Sequence, residues 1–192
     1  MTSSDRANHL STVLVGTAEA SADVPVRAPF DLVATLLPLR RGYGDPAFRV
    51  EGRVVWRTTR TPAGAASIRF AEGRERVDVD AWGPGAGWAV EHAGELLGAD
   101  DDPLGFRPDV PLLRDLQRRF AGIRLGRSGA VLEALVPAIL EQKVTGEQAR
   151  QGYRGMLRAF GERAPGPRPL VLPPSPERLV ALPYYAYHPL GI

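Results

Sequence analysis

The chain of 192 residues contains no cysteine. Disulfides and cysteine-ligated zinc or iron–sulfur centres are therefore excluded. Its three histidines, His9, His92 and His188, show no ligand spacing to one another, so no metal site is implied. No apolar run approaches the ~20 residues of a membrane span, and no membrane partner is expected. Leu10 to Val15 is too short and too lightly charged for a secretion signal. Lysine is almost missing: Lys143 is the one lysine among 24 basic residues. No internal repeat occurs. Gly83-Pro-Gly-Ala-Gly87 lacks a phosphate-loop pattern and reads as a turn.

What is present divides in two. Residues 1–102 carry 11 basic and 15 acidic side chains, whereas residues 103–192 carry 13 and 7. A basic C-terminal half is what a phosphate-facing surface needs. The divide falls near Gly98-Ala-Asp-Asp-Asp-Pro103, whose three adjacent acids read as a solvated linker. Residues 1–23 are rich in Ser, Thr and Ala and read as a disordered tail. Residues 24–102 then hold strand patterns: Phe48 to Thr58, Ala66 to Phe70 and Arg76 to Trp82. Thr61-Pro-Ala-Gly64 and Glu72-Gly73 supply turns between them. Asp31 caps a short helix limited by Pro38, and Trp88 to Leu97 reads as another, stopped by Gly98.

Residues 103–192 read as helical. Pro111 to Phe120 forms one helix, and Ser128 is a suitable N-cap for the next. In that helix Leu132, Leu135, Val136, Ile139 and Leu140 recur at the spacing of one face, with Pro137 inside it as a kink. Ala149, Tyr153, Met156, Leu157 and Phe160 form a second apolar face. Between the two faces lies the polar elbow Glu141-Gln142-Lys143-Val144, and Thr145 with Gln148 fits a capping box. Arg150, Arg154 and Arg158 line one stripe of the second helix, which by itself reads as a solvated face. Arg163 to Pro174 is Pro-rich and reads as a loop, and Ser175-Pro176 opens a final helix. Tyr184-Tyr-Ala-Tyr-His188 reads as packing for a core or a seam. The fold class expected is α+β: a small antiparallel sheet domain with flanking helices, followed by an incomplete all-helical domain.

The helix–elbow–helix, Gly122-Ile-Arg-Leu-Gly, Leu172-Pro-Pro-Ser-Pro-Glu-Arg-Leu-Val-Ala-Leu and Arg27-Ala-Pro-Phe-Asp-Leu together resemble one family. It is the alkylation-repair 3-methyladenine DNA glycosylases of the helix-hairpin-helix superfamily. The resemblance spans roughly residues 24–192. It implies an intracellular, cytoplasmic monomer that removes alkylated bases from double-stranded DNA by base flipping and glycosidic hydrolysis, without a cofactor. It also implies that the loop at Gln142, Lys143, Val144 and Thr145 contacts DNA. Members commonly place an apolar wedge there, and Lys143 departs from that pattern. A Schiff-base role for Lys143 lacks a desolvating surround.

The resemblance also marks what these residues lack. The family's Gly-rich hairpin and its catalytic aspartate come later in the family pattern. No Leu-Pro-Gly-Val-Gly-type motif occurs, and no aspartate follows Asp115. No catalytic residue is therefore assigned, and the chain reads as a C-terminally truncated member. The alternative is a non-catalytic module that binds DNA or a protein. A small-molecule hydrolase lacks a nucleophile–base pair.

Overall fold

A computed structural model describes residues 17–102 and 105–192. The first half is a five-stranded antiparallel sheet in the order β1-β5-β4-β3-β2. Its strands are β1 (Ala20–Pro25), β2 (Phe48–Glu51), β3 (Val54–Thr61), β4 (Gly64–Glu72) and β5 (Arg76–Trp82). Alternation sends Val55, Ile68, Phe70, Val77 and Val79 to one face. There they meet helices α1 (Leu32–Leu36), α2 (Ala86–Glu91) and α3 (Ala93–Leu97). Leu32, Leu36 and Leu97 expose none of their surface, and burying each contributes about 1.5–3 kcal/mol. The opposite face carries Trp56 and Trp82, stacked with centroids 5.4 Å apart, over Ala164, Leu170 and Leu172.

Three local expectations are corrected here. The expected tail, residues 1–23, lies outside the described residues only as far as residue 16. Ala20 to Asp23 belong to β1, paired with β5 from Ala20↔Ala81 to Pro25↔Arg76. This strand is poor in β-branched residues, so its pairing and not its propensity makes it a strand. Residues 48–58 are not one strand but a hairpin, because Gly52 takes φ +62° and reverses the chain between Glu51 and Val54. The single helix expected over residues 88–97 is two, separated at His92 (φ −95°, ψ 6°). Asp31 does cap α1, its carboxylate accepting from the Ala34 N–H at 2.8 Å.

The second half contains α4 (Pro111–Arg119), α5 (Val131–Leu140), α6 (Gly146–Phe160) and α7 (Pro176–Ala181). It is not all helical. The Pro-rich segment closes on itself through a two-residue ladder, β6 (Glu162–Arg163) against β7 (Val171–Leu172). Ser128 does not cap α5; the cap position is Ala130, whose N–H donates to the Ser128 hydroxyl at 3.3 Å. The expected divide includes Pro103, which lies outside the described residues.

Many contacts join the halves, and two of them centre on single side chains. Arg124 is 5% exposed, and its guanidinium donates to the carbonyls of Ala121, Ile123, Arg27 and Pro29 at 2.8–3.1 Å. The runs Arg27–Leu32 and Gly122–Gly126 therefore meet in space, and the Asp31 N–H also donates to the Gly122 carbonyl at 2.9 Å. The second tie is Glu133, in the first turn of α5. Strand β2 pairs only with residues 54–57 of β3, so β3 runs on beyond it as an edge that needs partners. The Glu133 carboxylate accepts from Arg57 Nη2 (2.9 Å), Thr59 Oγ1 (2.7 Å) and the Arg60 N–H (2.9 Å).

Candidate nucleic-acid interface

The elbow is built by one helix ending and another starting within five residues. Near the end of α5 the Glu141 N–H donates to the Pro137 carbonyl at 2.9 Å, and the Gln142 N–H to Ile139 at 3.1 Å. Lys143 then takes φ +61°, the one non-glycine in the left-handed region among the described residues. A side chain held there costs on the order of 1–3 kcal/mol. Thr145 opens α6 with a capping box: the Gln148 N–H donates to Thr145 Oγ1 at 3.3 Å, and the Thr145 N–H to Gln148 Oε1 at 3.0 Å. Gln142, Lys143, Val144 and Thr145 are all exposed. The four expected residues thus share one protruding turn. Behind it lies a hollow of about 190 Å³ lined by Ile139, Leu140, Val144 and Ile192, among others.

The orientation of this turn follows from how α5 and α6 pack. Tyr153, Met156 and Leu157 of α6 are buried with Ala47, and Val136 and Leu140 of α5 pack against them. Burial pushes the Tyr153 phenol above its ordinary range, with Asp45 and Glu133 adding in the same direction. It is a core group that stays neutral. Asp45 is also raised by burial, against the pull of the Arg41 and Ala47 N–H groups that it accepts.

The arginine stripe of α6 is not simply solvated. Arg150 and Arg154 both reach Glu147 at 3.3 Å, and their hydrogen bonds hold that carboxyl below its usual range, Arg154 foremost. Arg158 Nη2 donates to the Gly44 carbonyl at 3.3 Å. The stripe faces the loop before β2, a loop that sequence reading had passed over. The Arg40-Arg41 pair before its Gly-Tyr-Gly turn was the available sign.

The remaining sequence candidates do not converge on the elbow. A cleft of about 390 Å³ runs between the β3–β4 turn, the start of α5 and residues 173–179. Its Glu133 is committed to β3, and its Glu177 is held low by its own backbone N–H and the Ser175 hydroxyl. The tyrosine cluster splits. Tyr187 donates to the Leu179 carbonyl at 2.9 Å and meets Phe160 edge-on, as packing requires. Tyr184 and Tyr185, contrary to the packing expectation, are 77% and 63% exposed. His92 stacks on Trp88 with centroids 3.9 Å apart, and His188 meets Tyr184; His9 lies outside the described residues. Among the described residues no three His, Cys, Asp or Glu side chains group as metal ligands. No helix of theirs is long and apolar enough to cross a membrane.

No family model matches the sequence, and no curated protein matches it. Solved structures do match its fold. A 3-methyladenine DNA glycosylase from Archaeoglobus fulgidus superimposes with TM-score 0.67 at 20% identity, over 89% of this chain and 62% of that one. MBOgg1 in complex with a low-affinity DNA ligand gives TM-score 0.69 at 16% identity, over 92% and 59%. The 8-oxoguanine glycosylase/lyase of Clostridium acetobutylicum, bound to double-stranded DNA with cytosine opposite 8-oxoG, gives 0.67 at 12%, over 92% and 59%. The chain thus has the fold of these DNA glycosylases and spans less than two thirds of their length.

Proposed function

We propose that this chain carries the sheet domain and the first helices of a DNA glycosylase for alkylated bases, acting as a monomer in the cytoplasm. In this reading Gln142, Lys143, Val144 and Thr145 contact double-stranded DNA. The observation that carries it is the exposed turn with Lys143 in the left-handed region, set between two helices that pack on each other through Val136, Leu140, Tyr153, Met156 and Leu157. Strain at a non-glycine residue in a protruding turn argues for a functional demand on that residue. A base under repair must leave the stack, and the gap needs an occupant. Lysine offers an aliphatic stem for the groove and an ammonium for a phosphate.

The chemistry of such a reaction needs a carboxylate beside the anomeric carbon. No carboxylate is assigned that role: no aspartate follows Asp115, and Glu133 is bound to Arg57, Thr59 and Arg60. The exposed elbow turn also suits a second reading, a DNA- or protein-binding module without catalysis. Incubating the 192-residue polypeptide with methylated duplex DNA is expected to release no base above a protein-free control. Release would place an active site within these residues.

Binding tests the elbow directly. Titrating labelled duplex DNA at several salt concentrations should show Lys143→Ala weakening the complex while the fold is kept. The log–log salt slope should shrink by about one unit for a lost phosphate contact. Superimposable isotherms from two equally folded proteins would remove Lys143 from the interface.

A further inference from the structure

The loop Arg40-Arg41-Gly42-Tyr43-Gly44-Asp45 is built to display one ring. Gly42 and Gly44 take φ +82° and +78°, conformations open to glycine at no steric cost. Asp45 closes the turn, its Oδ2 accepting from the Arg41 N–H at 2.7 Å and its Oδ1 from the Ala47 N–H at 2.9 Å. Arg40 Nε donates to the Gly42 carbonyl at 2.9 Å, and Arg158 grips the Gly44 carbonyl from α6. Between these fixed points Tyr43 is 92% exposed. The Arg40 guanidinium lies 5.4 Å from its ring centroid, so one face carries a cation and the other is open.

The surroundings are cationic. Arg150 and Arg154 pack so closely on the loop that a Cβ at Gly42 would meet Arg150 Cδ at 2.7 Å and Arg154 Nη1 at 2.8 Å. Arg40 thus lies over the ring, while Arg150, Arg154 and Arg158 lie against the backbone of Gly42 and Gly44 on either side of it, with the carboxylates of Asp45 and Glu147 nearby. The patch is continuous with the elbow, because the Arg150 guanidinium lies over Gly146, next to Thr145. From Gly146 to Arg154 the helix rises about 12 Å, roughly the axial length of three to four base pairs.

We infer that this loop and the arginine stripe form a second DNA contact, in which the guanidinia hold phosphates and the open face of Tyr43 stacks on an unpaired base. An aromatic ring with arginines beside it suits a single strand, whose bases offer their faces. In a fully paired duplex those faces are closed by stacking. This inference rests on the proposed DNA-binding role of the elbow and extends it.

Two probes of equal length separate the possibilities: a fully paired duplex, and one carrying a short single-stranded tail. Tyr43→Ala is expected to weaken binding of the tailed probe by about ten-fold and to leave the paired probe within about two-fold. Tyr43→Phe should bind as wild type, since the ring is kept. Lys143→Ala should weaken both probes. Equal effects of Tyr43→Ala on the two probes, or no effect on either, would overturn the inference and leave the elbow reading standing. Failure of the wild-type protein to bind either probe would overturn both.

Discussion

The sheet half and the helical half of this molecule solve the burial problem differently. Phe70, Val55 and Val77 of the sheet expose none of their surface, because the strands alternate and three short helices cover one face. Helix α4 has no buried side chain: Leu112, Leu113 and Leu116 are 65%, 40% and 37% exposed. Helix α5 buries only Pro137, leaving Leu135 and Ile139 about half exposed. Only α6 of the helical half presses a full apolar face into a core. One face of the sheet is thus closed by its own helices, while the helical half is held to the sheet by the carbonyls around Arg124, the carboxylate of Glu133, the inner face of α6 and the packing of Ala164, Leu170 and Leu172 on Trp56 and Trp82. Of the side chains that the helical half leaves open, Ile139 lines the hollow behind the elbow.

The largest expected effect is the contrast itself. Phe70→Ala should cost about 3–5 kcal/mol, whereas Leu112→Ala should change stability by no more than about 0.5 kcal/mol. Urea unfolding of both variants checks this, and equal costs would mean that α4 is covered in solution. Next comes the Glu133 tie. Glu133→Ala leaves the Arg57 side chain, 6% exposed, without its carboxylate, a loss of about 3 kcal/mol. If the variant melts like wild type, the tie does not hold the halves together.

A smaller effect is expected at the elbow. Lys143→Gly should stay within about 0.5 kcal/mol of wild type, because relief at φ +61° offsets the added freedom of the unfolded chain. Lys143→Val should lose about 1 kcal/mol or more, since a β-branched side chain fits that region worst. Thermal unfolding of the pair gives the answer. An order with valine at or above glycine would show that the turn relaxes to another conformation.

Much of this was legible in the residues. The Asp31 cap, the Thr145–Gln148 box, the Ser175 cap, the Thr61–Gly64 turn and strand β5 are local chemistry, and local chemistry can be read from a sequence. What could not be read depends on residues far apart in the chain. Strand β1 exists because β5 offers it an edge. Arg57 and Glu133 are 76 residues apart, and nothing in either neighbourhood announces their meeting. The elbow residues were legible because a capping box after a polar break marks a turn between helices. The loop at Tyr43 was not, since its meaning comes from Arg150, Arg154 and Arg158 arriving from α6.

Hydrogen exchange with and without duplex DNA tests the central claim most directly, namely that the molecule meets DNA through the elbow and the stripe beside it. Added duplex is expected to slow exchange at the backbone amides of residues 141–148, a duplex with a single-stranded tail to slow residues 41–44 as well, and both to leave β4 and β5 unchanged. Protection appearing on the strands instead, or nowhere on a protein that demonstrably binds the duplex, would contradict the account.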